Sequence, residues 1–332
     1  MANQKDELKL IRMSEVEATA INWLWYPYIP YGKITVIQGD PGDGKTTVVL
    51  AIAAAITMGL SLPETATATE PMTVIFQTAE DGLGDTVKPR LVQSGADCDR
   101  VIVIDESEKS LSLSDVRIER AITETGAKLF ILDPLQAYLG ADVDMHRANE
   151  IRPILKRIGA IAEQTGCAIV VIGHLNKGTN KSQYRGLGSI DIQAAARSVL
   201  TVGRVKGKPY LRAIAQGKNN LAPEGKTIGF ELDPTTGFRW AGVLEITIDE
   251  LLTGKMPEHD TTYDKAIDFL KTELADGDKA AAFLFEKAQE NGIQERTLRS
   301  AKAALAINSF KKDKRWYWAA LPSAVDNENE QI

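Results

Sequence analysis

The run Gly39-Asp40-Pro41-Gly42-Asp43-Gly44-Lys45-Thr46 sets glycines, a lysine and a hydroxyl residue at a spacing suited to holding phosphate. Glycine lets a tightly turning backbone bring its N–H groups against phosphate oxygens with no Cβ in the way. Lys45 then supplies charge to the β- and γ-phosphates, and the Thr46 hydroxyl is placed to ligate Mg²⁺. The flanks have the order such a loop requires, because 33–38 predicts a buried strand and 46–58 an uncharged helix. With Thr47 added, the segment from Gly39 to Thr47 reads as a P-loop whose expected ligands are ATP and Mg²⁺. An ordinary glycine turn is the alternative, and the strand and helix on either side argue against it.

Hydrolysis needs a further carboxylate for the metal and a group that activates water. Asp133 ends the apolar run 128–132, where it can hold Mg²⁺ through the water shell; capping the Pro134 turn is the other role open to it. Glu80 follows the apolar run 73–78, and in a parallel sheet it would emerge on the same edge as the phosphate loop, as a general base must. Its neighbour Asp81 competes for that role, and a helix cap is a third reading.

These residues have to be positioned by alternating elements. Strands are predicted at 73–78, 100–104, 128–132 and 168–172, and helices at 86–94, 116–125 and 150–165, so a doubly wound, mostly parallel sheet follows. Beyond Arg197 the texture changes to strands with short turns at 198–205, 210–215, 227–232 and 238–243, an antiparallel extension of that sheet. Residues 1–30 read as an N-terminal arm, 31–245 as the core, 246–262 as a linker, 263–322 as a small helical module with a basic hairpin, and 323–332 as a frayed tail. The aromatic residues Trp23, Trp25, Tyr26, Tyr28 and Tyr31 fit packing of the arm better than stacking on adenine.

Composition bounds the rest. A chain of 332 residues with a quarter of them charged is expected to be a soluble two-domain protein, and its two cysteines, Cys98 and Cys167, have no metal-ligand spacing. Reduced thiols point to the cytoplasm. The longest uncharged stretch, 46–62, is too short and too rich in Ala and Thr for a membrane span.

The runs Trp23-Leu24-Trp25-Tyr26-Pro27, Thr78-Ala79-Glu80-Asp81, Leu132-Asp133-Pro134 and Gly173-His174-Leu175-Asn176-Lys177 together resemble RecA-like AAA ATPases of plasmids and phages, similar to the hexameric RepA replicative helicases. The resemblance covers about 14–232. It implies a RecA-like P-loop NTPase core in which Glu80 activates water and His174 senses the γ-phosphate. The polar segment after His174 corresponds to a loop facing the ring channel, where Lys177, Lys181 and Arg185 would contact phosphates of single-stranded DNA and Tyr184 would stack on a base. A surface loop is the other reading of that segment. Gln216-Gly217-Lys218-Asn219-Asn220 resembles the segment carrying the trans-acting basic finger of ring helicases, with Lys218 the matching cation and Arg197 a second candidate.

In the terminal module, Arg296, Arg299 and Lys302 fall opposite the apolar face of one helix. From Ile293 to Trp316 there are seven Lys/Arg and two Asp/Glu, a local +5 in a chain of net charge −6. Lys311, Lys312, Lys314 and Arg315 form a basic hairpin, and the whole resembles a C-terminal winged helix that binds duplex DNA, with a protein partner as the alternative. These readings give an ATP-hydrolysing DNA-binding motor, a replicative helicase or translocase working as a homo-oligomeric, hexameric ring without a membrane. An ATP-gated DNA-binding or loading switch is the alternative function.

Overall fold

The computed structural model describes residues 10–65, 69–140, 143–145, 147–175, 190–254, 262–305, 307–313 and 315–320. The chain divides into two compact units, Met1–Gly254 and Lys255–Ile332. In the first, β1 (Trp23–Trp25) and β2 (Ile29–Pro30) form a short hairpin, and β3 (Ile34–Gly39) runs through the P-loop into α1 (Lys45–Thr57). Alternation continues with β4 (Val74–Thr78), α2 (Lys88–Gln93), β5 (Val101–Ile102), α3 (Val116–Thr125), β6 (Leu129–Asp133), α4 (Ala148–Thr165) and β7 (Ala168–His174). The unit closes with α5 (Ile190–Ala195), β8 (Ser198–Arg204), β9 (Leu211–Asn219), β10 (Thr227–Asp233), β11 (Gly237–Leu244) and α6 (Ile248–Thr253).

Nine strands pair in the order β11-β10-β9-β8-β3-β7-β6-β4-β5. From β8 to β5 every neighbouring pair is parallel, and β9, β10 and β11 extend the sheet antiparallel. This is the α/β architecture expected from the alternation of apolar runs. Period-2 side chains divide the core between the two faces. Ile34, Val36, Phe130, Leu132, Ile169 and Val171 pack with α3 and α4, while Ile37, Leu129, Ile131, Val170 and Ile172 pack with α1 and the β1–β2 hairpin. Helix α1 is buried along nearly its whole length, which explains why it carries no charged residue after Lys45.

Three expectations change. The expected arm joins the core: Trp25, Tyr28 and Ile29 have no exposed surface, and Tyr28 donates from its hydroxyl to the Lys226 carbonyl at 2.7 Å. The expected linker begins with structure, because Thr247 and Glu250 form a reciprocal capping box that starts α6, and Leu251 packs on Val205, Ala213 and Ala215. Strand β5 stops at Ile102 instead of reaching 104, since the Gln77 side chain pairs with both the N–H and the carbonyl of Ile104.

The second unit has α7 (Thr262–Glu273), β12 (Lys279–Ala280), α8 (Ala281–Glu290), α9 (Glu295–Ala304), β13 (Ser309–Lys312) and β14 (Arg315–Trp318). Its strands pair as β12-β14-β13 and its core gathers Leu270, Leu274, Leu284, Ile293, Leu298, Ala301 and Trp318. Among the described residues no helix is long and apolar enough to cross a membrane.

Trp25 tests the packing reading of the hairpin. Its indole N–H donates to the Pro63 carbonyl at 2.8 Å and its ring lies 4.3 Å from Tyr28. Trp25→Ala is expected to cost about 3–5 kcal/mol in denaturant titration, while ATP affinity measured where the variant is folded stays unchanged. A variant as stable as wild type, or one that loses only nucleotide binding, contradicts this reading.

Candidate active site

Adjacent parallel strands end on one edge, and each brings a group to it. Gly39 at the end of β3 is in register with His174 at the end of β7, and Thr78 at the end of β4 is in register with Asp133 at the end of β6. Glu80 follows two residues after Thr78. The carboxyl edge of such a sheet, where helices start and strands stop, is where ligands bind.

The loop between β3 and α1 is built on its glycines. A Cβ at Gly39 would lie 2.4 Å from the Val202 carbonyl oxygen, and at Gly44, which has φ +93°, it would lie 2.6 Å from the Leu232 side chain. The backbone is thus pressed against β8 on one side and β10 on the other.

Lys45 is 6% exposed. Its ammonium donates to the carbonyls of Gly39 at 3.0 Å and Asp40 at 2.9 Å, and lies 3.3 Å from His174 Nδ1. Burial draws its pKa down, against Asp43, Asp133, Asp40 and Glu80, which hold it up. An ammonium only donates, so His174 Nδ1 is the acceptor and Nε2 carries the proton. That Nε2 is 4.0 Å from Glu80 Oε1. Burial and the nearby Lys45 lower the His174 pKa, which keeps the ring neutral at pH 7.

Thr46 donates from Oγ1 to Asp133 Oδ2 at 2.5 Å. Burial pushes the Asp133 carboxyl up to about 6, with Glu80 and Asp81 adding to the rise and the Thr46 bond and Lys45 opposing it. A hydroxyl beside a buried carboxylate is the hard-oxygen pair that Mg²⁺ takes, with phosphate and water completing its shell. Bound with nucleotide at Thr46 and Asp133, Mg²⁺ would supply charge neutralisation across the β- and γ-phosphates.

Glu80 and Asp81 have different surroundings. Asp81 accepts from Arg90 Nη1 at 2.8 Å, whereas the Glu80 side chain is 61% exposed and faces His174.

Sequence reasoning missed Arg204. From the end of β8 its Nε donates to Asp43 Oδ1 at 3.1 Å and its Nη2 to the Gly42 carbonyl at 2.9 Å, while Asp43 Oδ2 accepts from the Asp40 N–H at 3.1 Å. An acidic residue inside a phosphate loop needs a compensating cation, and Asp43 is the signal that could have prompted a search for one.

Lys218 departs from its expected part. On β9 its ammonium donates to the carbonyls of Gln193 at 2.6 Å, Ala196 at 2.8 Å and Ala194 at 3.5 Å, so it caps the end of α5 within its own chain. All three donors have partners within the chain. Gln193 in turn donates to Gln38, which donates to Thr201. Lys177, Lys181, Tyr184, Arg185 and Lys314 lie outside the described residues. Arg296, Arg299 and Lys302 are on α9, and Lys311, Lys312 and Arg315 on the β13–β14 hairpin.

The AAA domain family matches residues 4–180, more than half of the chain, and the chain belongs to that family. Its first unit is a RecA-like P-loop ATPase core. The chain is 26% identical over 148 residues to the DNA repair protein RadA of Halalkalibacterium halodurans, and 25% identical over 149 residues to RadA of Bacillus subtilis. Each match covers 44% of this chain and 28% of the relative, so the chain spans little more than a quarter of those proteins. A KaiC-like protein of Pyrococcus horikoshii shares 20% identity over 64% of this chain and 90% of its own, with a TM-score of 0.45, a loose likeness.

Two outcomes follow from these contacts. A carboxyl whose pKa rises on folding stabilises the protein below its unfolded value of about 3.9 and loses that contribution as pH rises through the folded value. In the metal-free protein Asp133→Asn should therefore gain on the order of 2–3 kcal/mol over wild type at pH 7 and nothing at pH 4. Thermal denaturation across that range measures it, and a difference independent of pH contradicts it. Separately, Arg204→Ala should weaken ATP binding roughly tenfold by leaving the Asp43 carboxylate uncompensated beside the triphosphate. Combining it with Asp43→Asn should restore most of that loss in a fluorescent-nucleotide titration. A double variant as weak as Arg204→Ala would mean that Arg204 touches nucleotide directly.

Proposed function

We propose that the first unit hydrolyses ATP and that the chain is a DNA-associated motor, a replicative helicase or translocase of plasmid or phage type working as a hexameric ring. The observation that carries the ATPase reading is the convergence of Lys45, Thr46, Asp133, His174 and Glu80 on one sheet edge. In this reading phosphate oxygens replace the carbonyls that Lys45 now contacts. Thr46 and Asp133 are the metal ligands. Glu80, exposed and with no lysine or arginine paired to it among the described residues, takes the proton of the attacking water, and His174 relays contact between Glu80 and Lys45.

The DNA reading rests on the resemblance to plasmid and phage helicases, on the basic residues Lys177, Lys181 and Arg185, and on the local +5 of the C-terminal unit. It takes that unit as a winged helix on duplex DNA, with single-stranded DNA in the channel of the core. The RadA relatives bear the name of DNA repair proteins. A second reading, an ATP-gated DNA-binding switch that hydrolyses slowly, is favoured by one observation: the ammonium of Lys218 is held by α5.

Glu80→Gln is expected to keep MgATP binding and to lose turnover by roughly 10²-fold or more, while Asp81→Asn stays within a few-fold of wild type. Turnover surviving in the first and lost in the second would move the base to Asp81. ATP-dependent strand release from a forked duplex distinguishes the motor from the switch, which binds the fork and releases nothing.

A further inference from the structure

The hairpin of the second unit carries Trp316 with 57% of its surface exposed, the largest such apolar exposure among the described residues of that unit. Register pairs Trp316 with Lys311 and Trp318 with Ser309, so both indoles belong to one face of the ribbon. Trp318 is 3% exposed, meets Phe285 edge-on and lies 5.2 Å beneath the Lys302 ammonium. Trp316 continues that face outward, past the core. On the opposite face Phe310 and Tyr317 stack at 5.9 Å, which stiffens the ribbon behind it. A single exposed apolar residue ordinarily needs no explanation. This one stands on a braced ribbon, with Lys311 across from it on the same face and Lys312 and Arg315 on the other, and no aromatic ring or cation among the described residues packs on it.

The cations of the unit are not equally free. Arg299 donates to Glu295 Oε1 from Nε at 2.9 Å and Nη2 at 2.7 Å, and its guanidinium lies 4.9 Å over the Phe285 ring. Lys302 lies over Trp318. Of the basic residues on α9, these two already have partners in their own unit, and Arg296 has none among the described residues. Lys311, Lys312 and Arg315 form no ion pair among the described residues. Three cations thus stand close together on the hairpin that also carries the exposed indole.

We propose that Trp316 stacks on an unpaired base while Lys311, paired with it on the same face, and Lys312 and Arg315, on the other face of the ribbon, hold phosphates of the strands to either side, so that this hairpin recognises the junction between duplex and single strand. The inference rests on the reading of the chain as DNA-associated. Its physical basis is that an indole stacks only on a base with a free face, and inside a duplex every base face is covered by its neighbour. Phosphate contacts supply affinity without sequence preference, and the stacked base supplies the preference for a junction.

The test uses the full chain with two DNAs, a blunt duplex and the same duplex with a single-stranded extension carrying 2-aminopurine at the first unpaired position. Wild type should bind both, more tightly at the junction, and quench the 2-aminopurine by stacking. Trp316→Ala should lose the quench and about tenfold in junction affinity, with blunt-duplex affinity unchanged. Trp316→Phe should recover most of both, which a variant that merely unfolds the hairpin could not. Lys312→Ala should weaken both DNAs and reduce the salt slope by about one. If wild type binds neither DNA, the DNA reading of the whole chain fails. If wild type binds but Trp316→Ala leaves junction affinity and quench intact, or weakens both DNAs equally, the stacking inference alone is overturned, and an acidic protein partner becomes the better occupant of the hairpin.

Discussion

An ammonium group withdrawn from water must be surrounded by acceptors, and Lys45, at 6% exposure, is so placed that the surrounding architecture serves it. Two carbonyls of its own loop and the neutral face of His174 satisfy it in the nucleotide-free protein. The third partner comes from β7, which lies next to β3 and parallel to it with His174 in register with Gly39. The same closeness presses Gly39 against Val202 and Gly44 against Leu232, where no side chain fits. A phosphate group entering here meets a cation already in position and carbonyls that must give way to it.

The carboxylates around this cation are differentiated by surroundings rather than by type. Asp133 is buried against Thr46 and holds its proton to about pH 6 without metal, Asp81 is tied to Arg90, Asp43 is clamped by Arg204, and Glu80 stands open to water. Acidic residues gathered at one sheet edge thus have separate surroundings. Burial against a hydroxyl, exposure to water and pairing with an arginine give carboxyl groups of one kind different chemical character.

Strand β8 connects this site to more distant parts of the unit. It begins just after α5, whose end is capped by Lys218, gives Thr201 to Gln38 at the base of the phosphate loop, and ends with Arg204 on the loop itself. Gln193 of α5 reaches the same Gln38. The phosphate loop is thus held from the side at its base and at its apex by one strand and the helix before it. A shift of α5 would be felt at the base of the loop, because Gln38 is buried and a buried polar group that loses its partner is costly.

The sequence by itself determined the phosphate loop, the alternation that makes a mostly parallel sheet, its antiparallel extension, and the strand ends bearing Asp133 and His174. These are local: a glycine-rich turn between apolar runs and a period of two or about four residues can be read without knowing what lies opposite. The preference for Glu80 over Asp81 was legible only as a preference, because the ion pair to Arg90 that distinguishes their surroundings depends on how the turn after β4 runs into α2. Arg204 was invisible, since it lies 161 positions from Asp43. The anchoring of Lys218 was invisible for the same reason, as a lysine in a polar turn-like run gives no sign that three carbonyls at the end of α5 await it. The arm and the linker likewise joined the core through contacts that sequence spacing does not encode, Tyr28 with Lys226 and Leu251 with Val205. Side chains that act through distant partners are settled only when packing brings those partners within hydrogen-bond range, and that is a property of the folded chain.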